Sequence, residues 1–189
     1  MTWYKRAFDI AMSLLLSFVS LPFVLIIALG IKITSKGPVL YWSDRVGKNN
    51  VLFRMPKFRS MRIDTPQVAT HLLSDASKYL TPIGRFLRKS SLDELPRLYS
   101  ILVGDLSFVG PRPALFNQED LVAMRTERGI HRLVPGLTGW AQVNGRDELV
   151  IPLKVQFDYE YFLRQSFKFD LRIIGITMVK IVRSEGIKH

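Results

Sequence analysis

The stretch from residue 10 to residue 31 carries no charged side chain, and this constrains the chain more than any other feature. At about 1.5 Å per helical residue it is just long enough to cross a hydrocarbon core of roughly 30 Å. Lys5 and Arg6 precede it, as in a signal peptide, but the run is too long for an ordinary apolar core and no small-residue cleavage site follows. Pro22 sits near its middle, where proline removes a backbone hydrogen bond and bends a helix. Lys32 and Lys36 make the far flank basic too. Positive residues prefer the cytoplasmic side, so a helix that enters, breaks at Ser20–Pro22 and returns suits both flanks. Ser17 and Ser20 could cap the carbonyls such a break exposes. A re-entrant hairpin over residues 1–35 is therefore preferred to a straight span, which charge counts this small leave open.

The remaining chain, residues 36–189, has the length of one domain with a real core. The formal net charge of +11 is spread along the sequence and favours polyanionic partners: nucleic acid, anionic lipid or phosphorylated substrates. A mean hydropathy of +0.13 fits poorly with a freely soluble protein. No cysteine is present, which excludes disulfides and thiolate metal sites. His71, His131 and His189 lie too far apart to read as a zinc or iron site.

Val39–Ser43 and Val51–Met55 predict two short strands joined by the turn residues Gly47-Lys48-Asn49-Asn50. Lys57 and Arg59, two apart in extended chain, point to one face. Residues 65–89 read as broken helix, Leu95–Val103 and Asp120–Arg128 as helices, and Lys154–Gln165 as an aromatic-rich helix. The apolar tail 171–182, interspersed with Arg172 and Lys180, reads as an interfacial amphipathic helix or an ordinary core helix. The expected fold class is thus α+β, mostly helical, with a small β-hairpin.

The chemistry concentrates in Ser91-Leu92-Asp93-Glu94-Leu95-Pro96 and Gly110-Pro111-Arg112-Pro113. Ser91 and Glu94 fit a capping box, a purely structural use. The same helix start would favour an ionised aspartate and attract phosphate. Given a bend there, one carboxylate can attack phosphorus while the other holds Mg²⁺, a hard cation suited to oxygen ligands. Lys57, Arg59, Arg88 and Arg112 could neutralise phosphate charge. Arg112 stands out because Pro111 and Pro113 stiffen its backbone. Gln142, Asn144 and Arg146, in the glycine-punctuated segment 135–146, are further candidate substrate contacts.

The order of Lys57-Phe58-Arg59-Ser60-Met61, Gly84-Arg85-Phe86-Leu87-Arg88-Lys89, the Asp93-Glu94 segment, residues 104–113 and residues 135–146 resembles the bacterial sugar transferases. These are monotopic phosphoglycosyl transferases in their minimal, catalytic-domain form. The resemblance implies that Asp93 attacks the β-phosphorus of a UDP-sugar, releasing UMP. A polyprenyl phosphate, undecaprenyl phosphate in particular, then takes the sugar phosphate and so begins glycoconjugate synthesis. It further implies Mg²⁺ at Glu94, phosphate contacts at Lys57, Arg59, Arg88 and Arg112, and residence on the cytoplasmic face of the bacterial inner membrane. Membrane lipids and downstream glycosyltransferases follow as partners. The family's break is often Ser-Pro, whereas Leu21 here separates Ser20 from Pro22.

Two rival readings are a membrane-anchored nucleic-acid-binding module and a non-catalytic scaffold. No recognised nucleic-acid motif supports the first. Nothing in the residues names the sugar.

Overall fold

The computed structural model describes residues 2–65, 76–145 and 149–183. The apolar N-terminal run forms one helix, α1 (Trp3–Thr34), with Pro22 inside it. The expected interruption at Ser20–Pro22 is not seen. Proline deletes only one backbone donor, and the rest of the hydrogen-bond ladder carries the helix past it. Ser20 Oγ donates to the Ser17 carbonyl at 3.4 Å.

The middle of α1 exposes Leu14, Phe18, Val19, Phe23, Leu25 and Ile26, whereas both ends are held against the rest of the molecule. At the start, Lys5, Asp9 and Ser13 are buried along one face. Arg6 donates to the Ile101 and Leu102 carbonyls, each at 2.6 Å, and Asp9 accepts from the Phe108 amide at 3.2 Å. At the end, Ile27 and Ile31 pack with Phe58 and Leu87. Lys5 and Arg6 thus serve as internal anchors as well as flanking charges.

The predicted hairpin is present and longer than expected. Strands β1 (Leu40–Val46) and β2 (Leu52–Phe58) pair antiparallel with Leu40 opposite Phe58 and Val46 opposite Leu52. Asn49 and Asn50 take positive φ in the turn, a conformation asparagine tolerates better than most residues. β2 is an edge strand, which is why Pro56 is accommodated there.

Beyond the hairpin come α2 (Gly84–Lys89), a single 3₁₀ turn at Leu92–Glu94 and α3 (Arg97–Val103). The capping-box expectation is corrected here. Ser91 adopts a left-handed conformation with φ 55°, and its side chain makes no capping bond. Glu94 instead pairs forward with Arg97 at 2.8 Å, and α3 starts only after Pro96.

β3 (Ser107–Val109) runs parallel to β5 (Gly136–Thr138), while the short β4 (Ala114–Leu115) joins β1. Gly110 and Gly136 let two backbones meet: a Cβ on Gly136 would stand 2.0 Å from the Gly110 nitrogen. Helices α4 (Glu119–Glu127), α5 (Trp140–Asn144), α6 (Ile151–Arg164) and α7 (Phe167–Val182) complete the fold. On α7, Phe169 and Ile173 join the core, while Leu171, Met178, Val179 and Ile181 remain exposed. The tail is thus a helix with one face in the core, as an ordinary core helix would have, and several apolar side chains left uncovered.

Candidate active site

The 3₁₀ turn that carries the two carboxylates is pinned from below. Leu92 and Leu95 pack against the core of Ile27, Ile31, Phe58 and Leu87, so α1, β2 and α2 all support the turn. That anchoring leaves Asp93 only 8% exposed, whereas the Glu94 side chain keeps 32% of its surface. The two neighbours therefore differ: one is buried among cations, the other faces outward.

Burial pushes the Asp93 carboxyl above the usual carboxylate range, and the Glu94 charge adds to it. Lys57, Arg97 and Arg88 pull the other way without cancelling the rise. Lys57, at the end of β2, is pushed down to about 8, first by desolvation and then by Arg97. Its ammonium lies 5.2 Å from the centre of the Tyr41 ring, the residue opposite it in the hairpin. A poorly solvated carboxylate beside a cation that titrates close to neutrality suits nucleophilic attack on an anionic centre.

Arg97 and Arg45 escaped the sequence reading. Arg97 opens α3, is 7% exposed and is held by Glu94 three residues earlier; that i,i+3 spacing was the available clue. Arg45 lies beyond the point where β1 was expected to end, and its Nε donates to Ser43 Oγ at 3.0 Å. Burial, Arg112 and Arg97 together push Arg45 down to about 10. Arg45, Arg97 and Arg112 line one cleft, with Met55, Leu106 and Leu137 as apolar walls.

Arg112 is positioned through its own backbone. Arg125 donates from Nη1 to the Arg112 carbonyl at 2.8 Å while pairing with the buried Asp158 at 2.5 Å. Arg45 holds the next carbonyl, that of Pro113, at 3.3 Å. The Gly110–Pro113 segment is thereby tied to both α4 and β1.

The other expected contacts divide. Arg88 acts on Asp93 from the last turn of α2. Arg59 is not brought to the acidic pair: its guanidinium donates to Ser35 Oγ at 2.7 Å, to the Ser35 carbonyl at 3.1 Å and to the Lys36 carbonyl, closing the end of α1. Gln142 is buried in α5, its Nε2 donating to the Leu137 carbonyl at 3.4 Å. Asn144 Nδ2 returns to the Trp140 carbonyl of its own helix at 2.7 Å. Arg146 lies outside the described residues.

Among the described residues no three acidic or histidine side chains cluster to cage a metal. Glu94 nevertheless presents a hard carboxylate, one oxygen of which is taken by Arg97. These residues fit Mg²⁺ shared with substrate phosphates, the usual mode for that ion, rather than a site built wholly of protein ligands.

The model of the bacterial sugar transferase family matches residues 1–184, and the chain belongs to that family. It is 41% identical to an undecaprenyl-phosphate glucose phosphotransferase of Komagataeibacter xylinus over 96% of this chain and 36% of that protein. It is 36% identical to a UDP-glucose:undecaprenyl-phosphate glucose-1-phosphate transferase of Escherichia coli over 93% of the chain and 39% of that protein. An uncharacterized sugar transferase of Bacillus subtilis is 38% identical over 98% of the chain and 90% of its own length. The chain thus spans well under half the length of the first two relatives.

Proposed function

We propose that the chain transfers a sugar 1-phosphate from a UDP-sugar to a polyprenyl phosphate, undecaprenyl phosphate in particular, and so initiates glycoconjugate assembly. In the first half-reaction an Asp93 carboxylate oxygen attacks the β-phosphorus, the bond to the bridging oxygen breaks, and UMP departs with that oxygen. In the second, a phosphate oxygen of the acceptor attacks the same phosphorus, Asp93 leaves as carboxylate, and a polyprenyl-diphosphate sugar forms. The observation that carries this reading is the burial of Asp93 among Lys57, Arg88 and Arg97. A buried carboxylate has little water to shed before it attacks, and the three cations offset the repulsion between it and the donor's phosphates. Glu94 would hold Mg²⁺, which supplies charge neutralisation on the departing phosphates when bound.

The place of action is a membrane surface, at the cytoplasmic face of the inner membrane. The exposed apolar middle of α1 and the uncovered side of α7 supply the contact. A course that keeps both ends of α1 on one side of the membrane is favoured over a crossing by its two anchored ends, with the helix unbroken past Pro22. Lys5 reaches Asp170, and Ile31 reaches Phe58 and Leu87, in the same body. A crossing would put those ends on opposite sides of the bilayer, where one body cannot hold both.

The test is to incubate the purified chain with UDP-sugars, polyprenyl phosphate and Mg²⁺ and to measure UMP. Release of UMP is expected with at least one donor. Enzyme quenched without acceptor should carry a sugar phosphate on Asp93 by mass spectrometry, and Asp93→Asn should abolish both signals. Undiminished turnover in Asp93→Asn would remove the nucleophile and the mechanism with it.

A further inference from the structure

The first turns of α1 reach both arms of the site. Among the described residues β3 pairs with β5 alone, so its other edge has no strand beside it. Side chains from α1 bind its backbone instead: Asp9 Oδ1 accepts from the Phe108 amide at 3.2 Å, and Lys5 Nζ donates to the Val109 carbonyl at 3.0 Å. Four positions apart, Lys5 and Asp9 share one helix face and grip adjacent residues of β3. From there the chain runs through Gly110 directly into the loop of Arg112. On the other arm, Arg6 donates to the Ile101 and Leu102 carbonyls. Both lie in the last turn of α3, where carbonyls have no partner within the helix. α3 opens with Arg97, the partner of Glu94. The start of α1 thus holds the far ends of two segments whose near ends, Arg97 and Arg112, line one cleft.

A carboxylate at Asp9 is a costly way to attach a helix. The residue is 1% exposed, and burying a charge is unfavourable unless it meets a partner. Attachment alone needs only an apolar face, such as the one Ile27 and Ile31 supply at the other end of α1. We propose that Asp9 is a positioning residue for the transfer reaction: with Lys5 and Arg6 it clasps β3 to α3, so that α1 sets the placement of Arg112 relative to the Asp93 turn. This rests on the reaction proposed above and adds no substrate contact to it. Because the same helix exposes its apolar middle, the clasp links the geometry of the site to the seating of α1 in lipid.

The experiment measures single-turnover UMP release by the full chain in detergent, and backbone hydrogen exchange of residues 104–113 without substrate. Asp9→Leu keeps the approximate size and removes the acceptor, whereas Asp9→Asn keeps an acceptor oxygen. At saturating donor the rate per folded molecule should fall about tenfold or more in Asp9→Leu, because small misplacement of a charged group costs rate steeply. Exchange across residues 104–113 should rise while exchange in α4 stays at the wild-type level. Asp9→Asn should keep most of the rate. A role in attachment alone would lower the melting midpoint of Asp9→Leu but leave the folded enzyme at wild-type rate, and that result overturns the proposal. Unchanged exchange in residues 104–113, or an Asp9→Asn enzyme as slow as Asp9→Leu, overturns it too. Should Asp9→Leu fail to fold, Arg6→Met tests the other arm, with slower release and faster exchange across residues 97–106 expected; wild-type values for both would be equally fatal. Absence of UMP release with any donor would sink the transfer reaction, while the exchange measurement would still decide whether α1 holds β3.

Discussion

Lys5 Nζ stands 2.5 Å from Asp170 Oδ2, joining the first turn of α1 to the first turn of α7 across the whole chain. Lys5 also donates to the Val109 carbonyl at 3.0 Å, and Tyr161 donates to Asp170 Oδ1 at 2.7 Å. Four elements therefore meet in one buried knot, immediately before the Gly110–Pro113 segment. Removing one partner strands the other as a buried charge, so Asp170→Ala should cost about 3–5 kcal/mol. Lys5→Met combined with Asp170→Leu should recover much of that loss, because matched apolar replacements of buried ion pairs are often near neutral. Denaturant titration of the three variants in one detergent checks both statements.

Arg125 and Asp158 form a second buried pair whose outward product is the position of Arg112. Asp158→Asn keeps the shape but weakens the hold on Arg125, and through it the hold on the Arg112 carbonyl. UMP release at saturating donor should fall about tenfold, since small misplacement of a charged group costs rate steeply. Arg112→Ala made on the Asp158→Asn background should then add less than it does alone, as coupled residues do not act additively. Full additivity would separate Asp158 from Arg112.

The sequence carried the local parts of this arrangement well. Turn chemistry at Gly47–Asn50 located the hairpin, and the Pro111–Pro113 bracket singled out Arg112. Long-range uses of charge were invisible. Arg59 alternates with Lys57 and so looked like its partner, yet it leaves β2 to close the end of α1 over 20 residues earlier in the chain. Lys5 and Arg6 read as topogenic charges because nothing near them in sequence reveals Asp170 or the α3 carbonyls. The hairpin register would have placed Arg45, Ser43 and Tyr41 on the face of Lys57, but ending β1 at Ser43 hid it. Ser91 shows the reverse failure. The residue types of a capping box were present, and the packing of Leu92 and Leu95 chose a left-handed residue and a 3₁₀ turn instead.

Glu94 combines an exposed carboxylate edge with a bond to Arg97, which gives chelation a specific signature. EDTA should abolish UMP release, and Mg²⁺ should restore it. Glu94→Gln should raise the Mg²⁺ concentration needed for half-maximal rate by tenfold or more on a rough scale, because a hard cation binds a neutral amide oxygen far less well. The same change leaves the buried Arg97 without its counter-ion, so the melting midpoint should fall as well. A metal requirement unchanged in Glu94→Gln would move the ion to substrate oxygens alone.

Lys57 should set an alkaline limb in the proposed transfer reaction. In the folded chain its ammonium loses its proton near pH 8, against an ordinary value of 10.5, through burial and the neighbouring arginines. Below about 8 the folded and unfolded chains both hold this proton, and the full cost of confining the charge is present. Between about 8 and 10.5 the unfolded chain binds more protons, so this group's contribution to stability improves as pH rises. Catalysis should move the opposite way, since a neutral Lys57 no longer offsets phosphate charge. The ratio kcat/KM, which reports the free enzyme, should fall from pH 7 to 9 with a midpoint near 8. Bound substrate phosphates favour the protonated form, so the limb in kcat should lie at higher pH than the limb in kcat/KM. Lys57→Arg, which stays charged throughout, should remove the limb from both profiles while keeping part of the rate. A wild-type alkaline limb in that variant would assign the titration to another group.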